Sequence, residues 1–356
     1  NLSEQEIVQY FHTKDRDRKN ALEAKVTKHK ATHPGAPPRA MSLVDSKSIQ
    51  EPQVFLRGDS NTRGERVPRR FPVALSPKNK DREKFKQGSG RLELAKAILS
   101  PNNPLTARVM VNRIWGHLFG NALVRTPSDF GLMGEQPTHP KLLDHLASQF
   151  KNDGWSIKKT IRAIVLSKTY RQQVKPLPPL DPDNRLLSSM NRKRLNFESM
   201  RDGFLQVSNE LDLKMGGPSK QLHTQPYSLR RAIYGHIDRQ NLAPTLTSFD
   251  FANPNIHSPK RVETTVPQQA LFALNHPFVL ARARELAKKA RLLAPVGDPK
   301  RIDHLIPFFY QKILSRDPNP DEINIARSFL ETDAKLANLE DFAQALLVSN
   351  EFFFVD

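Results

Sequence analysis

From Gly90 onward the chain is cut by proline and glycine into helix-length pieces, most of which carry their apolar residues along one side. "RLELAKAILS" stops at Pro101, and in "PLTARVMVNRIWGHLFG" Pro104 stands near the helix start while Gly120 follows as a stop. Met110, Ile114 and Leu118 form one edge of that piece, with Val111, Trp115 and Phe119 beside them, a broad apolar face suited to a deep core. "HPKLLDHLASQFKNDG" sets Leu142, Leu143, Leu146 and Phe150 on one stripe between Pro140 and Gly154. Ser156 is placed to cap "SIKKTIRAIVLSKTYRQ", whose stripe is Ile157, Ile161, Ile164 and Val165. After a Pro-rich connector near residue 180, Met190, Phe197, Phe204 and Leu211 recur at sevens and predict one long helix. A helix pair broken at Pro277, "RIDHLIPFFYQKILSR", an Asn319-capped helix and "LEDFAQALLVSNEFFFVD" follow. The expected fold class is therefore mainly α: a multi-helix globular domain with a small extended element near residues 52–75 and a second near 228–238.

Ahead of Gly90 the pattern is thinner. Residues 1–31 read as a charged helical arm and 32–50 as a Pro-rich linker. Residues 51–180 form a basic N-terminal part and 181–356 a helical C-terminal part of the same domain. The chain opens at Asn1 with no apolar leader, which is compatible with a removed signal segment or with further domains ahead. No run of 18 apolar residues exists, so no transmembrane segment is expected.

Charge narrows the partners. The formal net charge is +18, and residues 1–175 hold 32 Lys and Arg against 16 Asp and Glu. Such a field favours polyanions: acidic or sulfated polysaccharide, nucleic acid or anionic lipid. The absence of cysteine excludes disulfides, thiolate metal sites, a thiol nucleophile and covalent haem attachment. No cofactor is predicted. Phosphate-cradling loops, dinucleotide fingerprints and the Gly-x-Ser-x-Gly elbow are missing, as are helix-turn-helix and zinc-finger patterns.

The densest polar stretch is "NRIWGHLFGNALVRTPSDFGLMGEQPTHP", residues 112–140. Asp129, His139, Glu135 and His117 are the candidates there for acid–base work, and Asp129 with His139 for holding a metal, although no recognised ligand spacing links them. A structural joint accounts for the same residues one by one. Thr126, Ser128 and Asp129 suit turns, Gly131 and Gly134 suit backbone angles that other residues resist, and His139 precedes Pro140 at a helix start. "RGDS" at 57–60 reads as a turn whose Asp59 bonds local backbone. Arg69, Arg70, Arg192, Lys193, Arg108 and Arg113 are the anion-binding candidates, since guanidinium forks suit carboxylate, phosphate and sulfate. Arg194, Glu198 and Arg201 fall at i, i+4 and i+7 and predict an ion-pair network on one helix face.

By "RGDSNTRGERVPRRFP", the long run from "SGRLELAKAILS" to "HPKLLDHLA", "MNRKRLNFESMRD", "TTVPQQALFALNHPFV" and "ALLVSNEFFFVD", the chain resembles the planctomycete PSD domain family, in one order from about Val54 onward. The resemblance implies a domain of unknown function, usually C-terminal in large exported proteins that often carry a cytochrome-c-like module. It therefore implies extracytoplasmic placement, with upstream domains of the same polypeptide or a companion protein as partners. It supplies no catalytic residue set. The expectation from residues and resemblance together is a non-catalytic module that binds an acidic or sulfated polysaccharide. The alternatives are a metal-dependent hydrolase using residues 112–140 and a DNA-binding protein.

Overall fold

A computed structural model describes residues 10–33, 35, 42–76, 82–294, 301–332 and 336–355. The first nine residues of the expected arm and part of the Pro-rich linker lie outside them. Thirteen helices and two small antiparallel sheets occur among the described residues, a mainly α architecture. No helix among them is long and apolar enough to cross a membrane. The chain divides into a unit of residues 1–100 and a unit of residues 101–356.

In the first unit, helix α1 (Thr13–Thr32) buries no side chain, as its thin apolar spacing requires. Strands β1 (Gln53–Phe55) and β2 (Arg63–Arg66) pair antiparallel across the "RGDS" turn. Asp59 closes that turn, accepting from the Asn61 N–H at 2.9 Å and the Thr62 hydroxyl at 2.8 Å. Helix α2 (Arg91–Ile98) follows. No fully buried apolar side chain among the described residues precedes Ala107, so polar ties hold this unit's irregular stretches. Glu51 grips Arg69, and Asp45 accepts from the Ser89 N–H and from Arg91.

The second unit holds two cores. The first is built by α3 (Thr106–Phe119), α4 (Pro140–Asn152) and α5 (Ile157–Val165), around Val111, Trp115, Phe119, Leu143, Phe150 and Ile164. Gly120, at φ 80°, ends α3 in a conformation that side-chain-bearing residues resist. The Ser156 hydroxyl accepts from the Lys159 N–H at the start of α5. The stripe on α5 is only partly covered, for Ile157 and Ile161 stay exposed.

The second core gathers α6 (Phe197–Val207), the short α7 (Pro244–Ser248), α8 (Pro267–Asn275), α9 (Pro277–Leu293), α10 (Arg301–Leu314), α11 (Pro320–Thr332) and α12 (Leu336–Leu347). Helix α9 packs along α12 and also meets α6, α8 and α10. The caps are local: the His276 Nδ1 accepts from the Phe278 N–H, while Asn319 and Glu322 bond each other's backbone in a reciprocal box. A last turn, α13 (Asn350–Phe353), leads into β4 (Phe354–Val355), which pairs antiparallel with β3 (Lys193–Arg194).

Two expectations need correcting. The long helix predicted from Met190 to Leu211 is only α6. The Asn196 side chain caps it at the Ser199 N–H, and the residues before it are held by loop bonds such as Asn184 to the Ser189 carbonyl. Met190 packs against the first core, whereas Phe197 and Phe204 belong to the second. Near 228–238 the extended element reduces to isolated bridges, Asp212 with Arg230 and Lys220 with Gly235, around a single turn at Ala232–Tyr234. The Asp202 carboxylate takes the Ala232 N–H at 2.7 Å, which removes that donor from any ladder. The second two-stranded sheet is β3 with β4 instead.

Candidate functional site

The stretch 112–140 is anchored from inside. Asn112, fully buried on α3, donates through Nδ2 to the Val124 carbonyl at 3.0 Å and accepts the Val124 N–H at 2.8 Å through Oδ1. That amide clamp fixes the chain as it leaves α3. Beyond it, the Thr126 hydroxyl donates to the Asp129 carbonyl and accepts the Glu135 N–H, so one side chain ties both ends of the next turn. Asp129 accepts the Gly131 N–H at 2.8 Å. Gly131 and Gly134 do not adopt positive φ. Gly134 is required by crowding, for a Cβ there would stand 2.2 Å from the Asp129 carbonyl oxygen.

Three of the acid–base candidates have partners of their own. Asp129 serves its own turn, Glu135 pairs with Arg185 at 3.3 Å, and the His139 Nδ1 meets the Thr138 hydroxyl at 3.0 Å at the start of α4. Among the described residues, no group of three or more His, Asp or Glu side chains is placed to hold a metal ion together.

His117 lies elsewhere. With Arg113, one turn earlier on α3, it lines a cleft of about 300 Å³. The opposite wall comes from β3 and the loop that follows α7, and includes Lys193, Arg194, Asp250, Lys260, Arg261 and Glu263. Two side-chain bonds tie that loop to the segment after α3. Lys260 donates to Asn121 at 3.2 Å, and the Ser128 hydroxyl lies 2.5 Å from the His257 Nε2.

Several of these charges are already matched. Arg194 reaches Asp250 at 3.0 Å and Gln269 at 2.5 Å and also donates to the Thr264 carbonyl; Asp250 accepts twice more from Thr264. Arg261 grips Glu198 with two bonds of 2.8 Å and stacks over Phe251. The network predicted among Arg194, Glu198 and Arg201 therefore does not form. Arg194 precedes α6 and looks to Asp250, Glu198 looks to Arg261, and the buried Arg201 donates to the carbonyls of Ser228 and Arg230. Burial pushes the Arg201 guanidinium down to about 10.

What remains is a positive surplus. Lys193 sends one N–H to the His117 carbonyl at 2.5 Å and keeps two donors. The Arg113 side chain makes no hydrogen bond or ion pair among the described residues. Partial burial and the fields of Lys193, Arg113 and Arg261 hold the His117 imidazole below its ordinary value. The arrangement can offer a small anion a guanidinium fork, an ammonium and an imidazole from one wall or the other.

Of the six anion-binding candidates, the structure brings Arg113 and Lys193 together here. Arg108 pairs with Asp144 at 2.5 Å. Arg192 stands in a separate hollow with Thr265, Asn350, Glu351 and Phe354. Arg69, in the first unit, is held by Glu51 and the Gly88 carbonyl, and the buried Nε of Arg70 has no partner among the described residues. Sequence reasoning missed Arg194, Asp250, Lys260 and Arg261 as companions of α3. The basic pair in "SPKRVETT" was the available signal, but nothing local assigned it to this wall.

A family model described as PSD1, protein of unknown function (DUF1553), matches residues 90–330. No curated protein and no solved structure matches the chain.

Proposed function

The chain belongs to the PSD1 family, and on that premise we propose that it is an anion-binding module of an extracytoplasmic protein, seating one acidic group of a sulfated or acidic polysaccharide in the cleft beside α3. The observation that carries this reading is Arg113. A guanidinium lining a cleft with no protein acceptor is suited to an acceptor from outside. The nearby Asp250 does not compete, because Arg194 and Thr264 already hold it. A volume of about 300 Å³ is at the low end for small-ligand pockets and suits a single sugar-sized unit. Residues 101–175, in the same unit as the cleft, hold 11 Lys and Arg against 4 Asp and Glu, an excess that supplies the longer-range attraction a polymer would feel.

Size-defined sulfated oligosaccharides, titrated at two salt concentrations, test the proposal. Binding should weaken with salt. Arg113→Ala should lose about tenfold or more in affinity, since a hydrogen bond to a charged group contributes about 1.5–3 kcal/mol, while its unfolding midpoint stays put. Salt-independent binding, or an Arg113→Ala protein that binds like the parent, would sink the idea.

A further inference from the structure

We propose that anion binding in this cleft is proton-linked, with His117 taking up a proton as the anion seats. The inference rests on the reading of the cleft as an anion site and concerns its regulation.

The geometry starts on α3, where His117 and Arg113 stand one turn apart and face the same cleft. Lys193 approaches from β3 closely enough to bond the carbonyl of His117 itself, and Arg261 enters from the loop after α7. Three cations thus line the cleft with one imidazole, and burial acts with their field to keep the proton off. The remaining charged groups around the cleft offset this only in part. Glu198 shares the charge of Arg261, Asp250 is bound to Arg194, Lys260 donates to Asn121, and Glu263 is exposed. No carboxylate is hydrogen-bonded to the imidazole among the described residues.

An anion seated among Arg113, Lys193 and His117 cancels that positive field. The same imidazole then has a negative neighbour and a hydrogen-bond acceptor, both of which favour its charged form. Free, His117 titrates below 6.5; occupied, it titrates higher. Between the two values affinity rises as pH falls, by at most about tenfold per pH unit for one proton, and outside them it is flat.

The test uses the full chain with 13C-labelled histidine and a sulfated disaccharide whose sulfates stay ionised throughout. The imidazole signals are followed through a pH titration with and without saturating disaccharide, and His117→Gln assigns the His117 signal. Saturation should raise the His117 midpoint by about one pH unit. The dissociation constant should fall by the corresponding factor, about tenfold, from the alkaline to the acid side of the window. His117→Gln should bind with an affinity that no longer varies with pH across this window. Tight binding with an unmoved His117 signal and no pH dependence overturns the proton linkage and leaves the anion site standing. Absence of binding, or binding that Arg113→Ala does not weaken, overturns the site and this inference with it.

Discussion

Replacing Asn112 by alanine removes both halves of the clamp on Val124 and leaves two main-chain groups with nothing to bond. Asn112 is fully buried and Val124 is 2% exposed, so water cannot readily substitute. An orphaned buried donor or acceptor costs about 1–3 kcal/mol. Two such groups, softened by some relaxation around the vacated amide, put the loss at about 2–4 kcal/mol. For a unit of this size each kcal/mol moves the melting temperature by roughly 2–4 °C, so a drop on the order of 5–15 °C follows. Urea unfolding followed by circular dichroism reads the effect as a lower midpoint at constant slope. Asn112→Leu separates bonding from bulk, because it refills the space but bonds nothing and should be at least as damaging. An Asn112→Ala protein within about 0.5 kcal/mol of the parent, the range of an inconsequential surface change, would refute the clamp. So would recovery in Asn112→Leu.

Gly134→Ala should disturb the next turn, since its Cβ would sit 2.2 Å from the Asp129 carbonyl oxygen. A loss of about 1–3 kcal/mol is expected from such overpacking, and a protein that melts like the parent would contradict the crowding argument. The Glu198–Arg261 pair predicts an acid effect. Burial pushes the Glu198 carboxyl up, but the bidentate grip of Arg261 outweighs it and holds the group below its usual 4.5. That stabilisation is fully present above the unfolded value near 4.5 and is lost as pH falls through the folded one. Glu198→Gln should therefore unfold more easily than the parent at neutral pH, with the gap closing below about pH 4.5; a pH-independent gap would show that the pairing does not set it.

Helix boundaries were legible because their causes are local. Pro140, Ser156, Pro277 and the Asn319 cap each act on backbone within three residues, so reading the letters was reading the physics. Spacing failed where it stood in for connection. Met190 and Phe197 are seven apart, but seven residues also separate two contacts made to different cores, and the Asn196 cap decides between the cases. The Arg194–Glu198–Arg201 trio failed for the same reason, since i,i+4 geometry presumes a helix that begins only at Phe197. Of the cleft, the Arg113–His117 half could be read as neighbours on one helix. Lys193 and Arg261 arrive from sequence positions far downstream, and no local rule brings them to α3.

The stretch 112–140 serves as both joint and wall, and helical geometry explains how. Successive residues on α3 point about 100° apart. Both border the cleft, but Asn112 is fully buried and bolts the chain after the helix, whereas Arg113 is only half-buried. The two roles share a backbone and can still be pulled apart by experiment. Loosening the bolt lets the wall move, so Asn112→Ala should lower stability and anion affinity together. The Arg113 side chain makes no hydrogen bond or ion pair among the described residues, so Arg113→Ala should lower affinity alone. If Arg113→Ala also melts early, its guanidinium is structural and the cleft loses its spare donor. If Asn112→Ala melts early but binds with full affinity at a temperature where it is still folded, the clamp stabilises the unit without positioning Arg113, and the joint and the wall are independent.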